Sequence, residues 1–93
     1  MRPKVTIDYT IHIWQEGSQF IAHAMPLDVM SSGPTPDVAR KALDEAVRLF
    51  LLTLEDMGTT AVILQECGYQ LDQGSWKSPS WVATERHSAV VGI

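Results

Sequence analysis

Apolar and polar residues alternate strictly near the start of this chain, and this alternation is the strongest constraint on its fold. Four polar residues separate five apolar ones, namely Val5, Ile7, Tyr9, Ile11 and Ile13. Successive side chains of a strand point to opposite faces, so the pattern predicts a half-buried β-strand over 5–13. QEGS (15–18) then predicts a short loop, and QFIAHAM (19–25) predicts the second strand of a hairpin.

The register of this hairpin follows from keeping the apolar residues of both strands on one face. We expect Trp14 to face Gln19, and in that register His23 lies opposite Thr10. The segment LDVMSS (27–32) predicts a short third strand at the edge of the sheet.

A long amphipathic helix is predicted from Pro36 to Met57. Thr35 is a preferred N-cap, proline suits the first helical position, and Gly58 is a typical C-terminal cap. At 100° per residue, one apolar stripe must cover the sheet, and it contains Ala39, Leu43, Ala46, Val47, Phe50, Leu54 and Met57.

Charged residues occupy the opposite side of this helix. Three ion pairs at i,i+4 spacing are expected there: Arg40 with Asp44, Lys41 with Glu45, and Asp44 with Arg48. Leu52 projects from the middle of the charged side, which makes it a candidate contact for an oligomer or a partner.

The remaining residues predict a second short helix, with Thr59 at its N-cap and Gly68 after its end. Turn signals follow at 72–74 and 78–80, and a C-terminal strand is predicted over 81–91. The order β-β-(β)-α-α-β indicates an α+β fold. We expect one domain over 1–93, with a core at 4–58 and the short helix and C-terminal strand in 59–93.

The composition restricts the class of protein. A 93-residue domain has a small core, so we expect a homo-oligomer, a dimer or a tetramer. The single Cys67 excludes an internal disulfide framework and favours the cytoplasm, and no apolar run is long enough for a secretion signal or a membrane span. The net charge of −4 is compatible with a basic protein partner.

Few residues are candidates for metal binding or catalysis. Asp8, His12 and His23 share the non-core face of the predicted hairpin, where they are weak candidates for a metal site without a fourth ligand nearby. The same residues are more typical of a solvated or interface strand face, because an outer strand face normally carries polar residues. No spacing defines a catalytic triad, and the GPTP stretch (33–36) lacks the donors of a phosphate loop, so we expect no enzyme and no cofactor.

Residues 9–58 resemble the core of HicB-type antitoxins. That core has a strand that begins with an aromatic residue, a second strand with F-x-A, a glycine shortly before a threonine, and a helix that reads A-x-x-x-l-x-E-A-v and closes on a glycine. The matching residues here are Tyr9, Phe20, Ala22, Gly33, Thr35, Ala39, Leu43, Glu45, Ala46, Val47 and Gly58.

The resemblance implies a partial ribonuclease H-like β-β-β-α-β fold with the long helix on one face of the sheet. It also implies an oligomer that binds and neutralises a small HicA-type mRNA-cleaving toxin by covering the toxin's active site. Residues 69–93 are too few for the DNA-binding domain that full antitoxins append, so the chain resembles a small stand-alone member and operator DNA binding is not expected.

Partner contacts are expected at an unpaired strand edge and at exposed aromatic residues. The candidates are Asp28, Met30, Leu52, Trp76 and Trp81. A second hypothesis stays open: a stand-alone homo-oligomer of the same fold, with a small-ligand or metal site at Asp8, His12 and His23 and no toxin partner.

Overall fold

Strands and helices alternate in blocks along residues 5–92, the part of the chain that the computed structural model describes. In chain order the elements are β1 (Thr6–Ile7), β2 (Thr10–Glu16), β3 (Gln19–Met25), β4 (Val29–Gly33), α1 (Pro36–Met57), α2 (Thr60–Glu66), β5 (Gln70–Asp72) and β6 (Ser75–Lys77). The predicted α+β class is confirmed. The predictions for residues 1–4 and 93, including the start of the core at residue 4, lie outside the described residues.

The strands form two three-stranded sheets. One sheet has the order β2-β3-β4 with both pairs antiparallel, and the other has the order β1-β6-β5. β6 runs parallel to β1 and antiparallel to β5. Because β1 leads directly into β2, the two sheets adjoin at residues 8–9.

The prediction of one continuous strand over 5–13 is wrong. The structure has two strands there, β1 and β2, which are separated by residues 8–9. The interruption lies where the pairing partner of the strand changes. β1 pairs with β6, whereas β2 pairs with β3. The Asp8 carboxylate accepts a hydrogen bond from the Ser78 amide at 2.7 Å, and the Asp8 carbonyl accepts one from the Tyr69 hydroxyl at 2.6 Å.

The predicted hairpin forms, but its register is wrong by two residues. The strands continue through Glu16 and Gln19, so the turn contains residues 17–18 alone. Trp14 therefore pairs with Ile21 instead of Gln19. Two-residue turns match the right-handed twist of the flanking strands better than the four-residue loop that the QEGS sequence suggests.

A shift of two residues leaves each side chain on the face where it was expected. Ala22 and Ala24 are fully buried on the inner face, against α1. The shift does change the opposite residue of His23, which lies across from His12 and not from Thr10.

α1 has the predicted bounds and both predicted caps. The Val38 amide donates to the Thr35 hydroxyl at 3.1 Å, and Gly58 adopts a left-handed φ of 69° while its amide bonds carbonyls of the last turn. Of the predicted stripe, four residues are fully covered, namely Ala39, Leu43, Val47 and Leu54. Met57 is 67% exposed because it lies at the helix end, beyond the sheet.

The predicted i,i+4 ion pairs of α1 are replaced by pairs at i,i+3 spacing. Arg40 bonds Asp37, and Arg48 bonds Glu45 with a nitrogen–oxygen distance of 2.6 Å. Asp44 instead accepts a hydrogen bond from the Tyr9 hydroxyl at 2.6 Å, which links the helix to the sheet.

The C-terminal quarter differs most from the prediction. A short hairpin, β5–β6, follows α2, and its turn falls in the predicted 72–74 segment. Trp76 in β6 is 7% exposed and belongs to the core cluster, so its prediction as an exposed partner contact is wrong. Parallel pairing with β1 carries its side chain inward.

The predicted strand over 81–91 is absent, since residues 78–92 have no regular structure. Pro79 has no amide hydrogen to continue the pairing of β6, and a strand needs a neighbouring strand to satisfy its backbone groups. Trp81 is held by β2, and the residues after it extend into solvent.

α2 is preceded by Thr59, as predicted, but the Thr59 hydroxyl does not cap it. That hydroxyl donates to the Leu54 carbonyl at 3.4 Å, at the end of α1. None of the helices in the described part of the chain has the length and apolar content to cross a membrane.

Candidate interaction surface

The β2-β3-β4 sheet has one face covered by α1 and one face that α1 does not cover. Alternation along the strands decides which side chains lie on the uncovered side. We call this side the open face, and it contains Thr10, His12, Trp14, Ile21, His23, Met25, Met30 and Ser32.

The open face is unusually apolar for the outer side of a sheet. A sheet covered on one side normally has polar residues on the other. Here Trp14 is 36% exposed and Met30 is 53% exposed, and Ile21 and Met25 on β3 are partly buried. Apolar side chains that touch across neighbouring strands form a patch, and such patches are typical of binding surfaces.

Aromatic rings organise the centre of the open face. His12 and His23 are directly opposite each other on β2 and β3. Trp14 contacts His23 edge-to-face with 6.2 Å between ring centroids, and Trp81 contacts His12 in the same way at 5.6 Å. Trp81 comes from the C-terminal segment, and its indole nitrogen donates to the Thr10 hydroxyl at 2.8 Å.

Two acidic residues lie at the rim of the open face. His23 and Asp28 are hydrogen-bonded at 2.6 Å, and the Asp28 side chain is 78% exposed. Glu16, at the end of β2, accepts a hydrogen bond from the Trp14 indole at 2.9 Å. The carboxylates therefore orient the aromatic residues beside them while remaining accessible to a basic partner.

The predicted partner residues separate into three locations. Asp28, Met30 and Trp81 lie on the open face or at its rim. Leu52 is 45% exposed, as expected, but it lies on α1, which covers the other side of the sheet. Trp76 is in the core.

The structure does not assemble the proposed metal ligands. The Asp8 carboxylate is engaged by the Ser78 amide, while His23 bonds Asp28. Within residues 5–92, no three His, Cys, Asp or Glu side chains are grouped so that they could hold a metal ion.

Two side chains have raised pKa values that do not indicate reactivity. Burial, together with the hydrogen bond to Asp44, raises the pKa of Tyr9 to about 12, which disfavours the tyrosinate form. Burial, followed by the nearby carboxylates of Glu66 and Asp28, raises the pKa of the Cys67 thiol. Raising the pKa disfavours the thiolate, which is the nucleophilic form.

A groove of about 550 Å³ lies beside the β5–β6 hairpin. Its lining contains Gly68, Gln70, Leu71, Asp72, Lys77, Ser78, Pro79 and Ser80. Most of these side chains are exposed, and ligand pockets are usually apolar and enclosed. The groove therefore lacks the features of a small-molecule site.

The partner contacts predicted from the sequence do not include Trp14, Ile21 and Met25. A signal for them was present: the outer set of the hairpin alternation is itself partly apolar, whereas an outer strand face exposed to water is normally polar. The contact between Trp81 and His12 had no such signal, because it joins residues 69 positions apart in the chain.

Comparison of the chain with protein-family models, with curated proteins and with solved structures finds no match. The resemblance to HicB-type antitoxins therefore depends on the residues of 9–58 alone.

Most of the residues that carry this resemblance have structural roles. Ala22, Ala39, Leu43 and Val47 are buried between the sheet and α1. Thr35 and Gly58 cap the helix. Glu45 is paired with Arg48 on the exposed side of α1, where the hydrogen bond lowers the pKa of the carboxyl group. The matching residues thus describe how the chain folds, and the binding residues must be sought elsewhere.

Proposed function

We propose that this chain is a protein-interaction domain of the HicB-like antitoxin type, which binds a small basic HicA-type toxin and covers its mRNA-cleaving site. The observation that carries the proposal is the open face of the β2-β3-β4 sheet. We assign the toxin contact to this face and to the acidic rim beside it.

The chemistry of the open face supports a protein partner. Interface centres are enriched in tryptophan and methionine, and side chains of these types can fill pockets on a partner. Trp14, Met30 and Trp81 are each at least one-third exposed and lie on this one face. A toxin that docks there removes their apolar surface from water, which favours the complex.

Charge supports a basic partner. The chain has a net charge of −4, and the carboxylates of Glu16 and Asp28 lie at the rim of the open face. Complementary charges accelerate encounter and orient the partner. A toxin that binds RNA is expected to be basic, because RNA is a polyanion.

The strand order supports the likeness to the ribonuclease H-like fold of the family. Three antiparallel strands precede the long helix, and β6, after the helices, runs parallel to β1 at the start of the chain. When β1 and β2 are counted as one interrupted strand and the short α2 and β5 are set aside, this order resembles β-β-β-α-β with the last strand beside the first. The free thiol of Cys67 is consistent with a reducing compartment, and we place the protein in the cytoplasm on that basis.

Co-expression with the product of the neighbouring reading frame tests the proposal. The tagged chain should retain that small basic protein in a pull-down. Met30→Glu places a charge in the open face and should reduce the retained toxin at least about tenfold, a loss of about 1.4 kcal/mol in binding free energy.

Met57→Glu is the matched control, since Met57 is similarly exposed but lies at the end of α1. It should retain the toxin as the unchanged chain does. If both variants retained the toxin equally, the toxin contact would lie outside the open face. No retained protein even by the unchanged chain would contradict the antitoxin role.

A further inference from the structure

The C-terminal segment 82–92, which we call the tail, makes almost no contact with the rest of its own chain. Val82 is 98% exposed, Val90 is 101% exposed and Val91 is 75% exposed. The hydrogen bond between His87 and Glu85, at 2.9 Å, lies within the tail itself. The backbone groups of the tail are therefore available for pairing.

The composition of the tail is that of a strand and not of a disordered terminus. Residues 82–91 read VATERHSAVV, with no proline and no glycine. Valine and threonine favour strands, and four of these ten residues are of these two types. Its apolar ends, at 82–83 and 89–91, are exposed at a cost in free energy, and burying them would be favourable.

The sheet offers an edge without a neighbour. β4 pairs with β3 on one side, and in the described part of the chain its other side has no strand. Its sequence, VMSSG, contains none of the charges or prolines that commonly protect strand edges. α1 packs on β4 and holds it in place, so this edge is preorganised for pairing.

The tail starts at the edge of the sheet opposite to β4. Trp81 anchors the start of the tail to β2, through Thr10 and His12, and β2 is the opposite edge strand of the same sheet. The residue after this anchor is already almost fully exposed. An extended tail of this length reaches roughly 35 Å, which is sufficient to cross to another molecule.

We propose that the tail of one copy adds as a strand to the β4 edge of a second copy, and that two copies exchange tails in a symmetric dimer. The occupant of the edge is thus a second copy of this chain. In this exchange, the backbone of each tail forms hydrogen bonds with β4 of the other copy. The valines of the tail then pack beside Met30 of that copy. The proposal does not depend on a toxin, so it can fail while the proposed function holds.

Proline substitution along the tail tests strand pairing. In an added strand, alternate amides point to the partner strand and the others point to solvent, so tolerance of proline should alternate with a period of two. We expect substitutions at alternate positions from 84 to 90 to raise the dimer Kd about tenfold or more, and their neighbours to change it about twofold or less.

Adjacent positions are matched controls, because the same residue is introduced into the same exposed segment. The dimer Kd is measured by light scattering over a concentration series, with circular dichroism to verify the fold of each variant. A monomeric mass for the unchanged chain at micromolar concentration would overturn the proposal. So would a dimer that tolerates proline equally at every position from 84 to 90, since it would form through another surface.

Cross-linking between two differently labelled proteins identifies the second strand. In a Cys67→Ser background, Val90→Cys in one protein and Ser32→Cys in the other are mixed and treated with a short bis-maleimide. We expect a covalent heterodimer, which Val90→Cys mixed with Met57→Cys should not form. If Val90→Cys and Ser32→Cys in one chain cross-link only within that chain, the tail pairs with its own sheet and the exchange is refuted.

Discussion

Gly33, the last residue of β4, lies close against the first turn of α1. A Cβ built at this position would lie 2.6 Å from the Val38 Cγ1 atom and 2.9 Å from the backbone nitrogen of Ala39. The backbone atom belongs to the first turn of α1 and cannot rotate away. This contact explains why a glycine stands at the end of β4.

Gly33→Ala should therefore destabilise the fold by about 1–3 kcal/mol, the usual cost of overpacking. Urea unfolding measures the change. Gly92→Ala is the control, because no atom lies within 4 Å of the added methyl group there, and it should change the free energy of unfolding by less than about 0.5 kcal/mol. Equal stability of both variants would show that β4 does not approach α1 as described.

Tyr9 gives the fold a dependence on alkaline pH. Burial and the hydrogen bond to Asp44 raise its pKa in the folded chain from 10.0 to about 12. Its contribution to stability is therefore complete below pH 10 and is lost as the pH rises towards 12. Tyr69, whose pKa burial also raises, adds to the same loss.

Tyr9→Phe should remove part of this alkaline loss and also lower stability at neutral pH by about 1 kcal/mol, the value of a typical hydrogen bond. Urea unfolding at several pH values measures the first effect, and tyrosinate absorbance reports the pKa directly. If Tyr9 and Tyr69 both titrated at the ordinary pKa of 10.0, the result would contradict their burial and the hydrogen bond from Tyr9 to Asp44 on α1.

At the scale of elements, α1 depends on a local signal at its start. The hydroxyl of Thr35 accepts the Val38 amide at 3.1 Å, and Thr35 has the extended backbone of an N-cap. Thr35→Ala should cost about 1 kcal/mol in thermal or urea unfolding, and Thr35→Ser should recover most of it. If serine were no better than alanine, the hydroxyl would not be the stabilising group.

Local signals also explain which elements the sequence could predict. Both caps and the apolar stripe of α1 lie within its own residues, so its bounds from Pro36 to Met57 were predicted correctly. β4 was predicted because a short extended segment lies between Pro26 and Gly33. The assignment of each hairpin side chain to one face of the sheet was also correct, because an error of two residues in register does not change the face.

Elements that depend on distant partners were not predictable in the same way. β1 separates from β2 because it pairs with β6, and Thr6 aligns with Ser75 across most of the chain. The strand expected over 81–91 has the composition of a strand but no neighbour within its own chain. Composition reports a tendency to pair, whereas pairing itself requires a second strand.

The open face could be predicted from the sequence only in part. Met30, Asp28 and Trp81 were among the sequence candidates because they are apolar, acidic or aromatic residues near an edge. Trp14 joins them through the alternation of β2 and the pairing with β3. Leu52, on α1, lies outside this surface, and Trp76 is buried because the parallel pair β1–β6 turns it inward.

The principal claim is that this molecule neutralises a toxin by occupying its RNA-cleaving site. The most direct measurement is the rate at which the purified product of the neighbouring reading frame cleaves messenger RNA, with increasing amounts of this chain added. The proposed function predicts that cleavage falls to background near an equimolar ratio for the unchanged chain and for Met57→Glu, and persists with Met30→Glu. Cleavage that continues unchanged in an excess of the unchanged chain would contradict it.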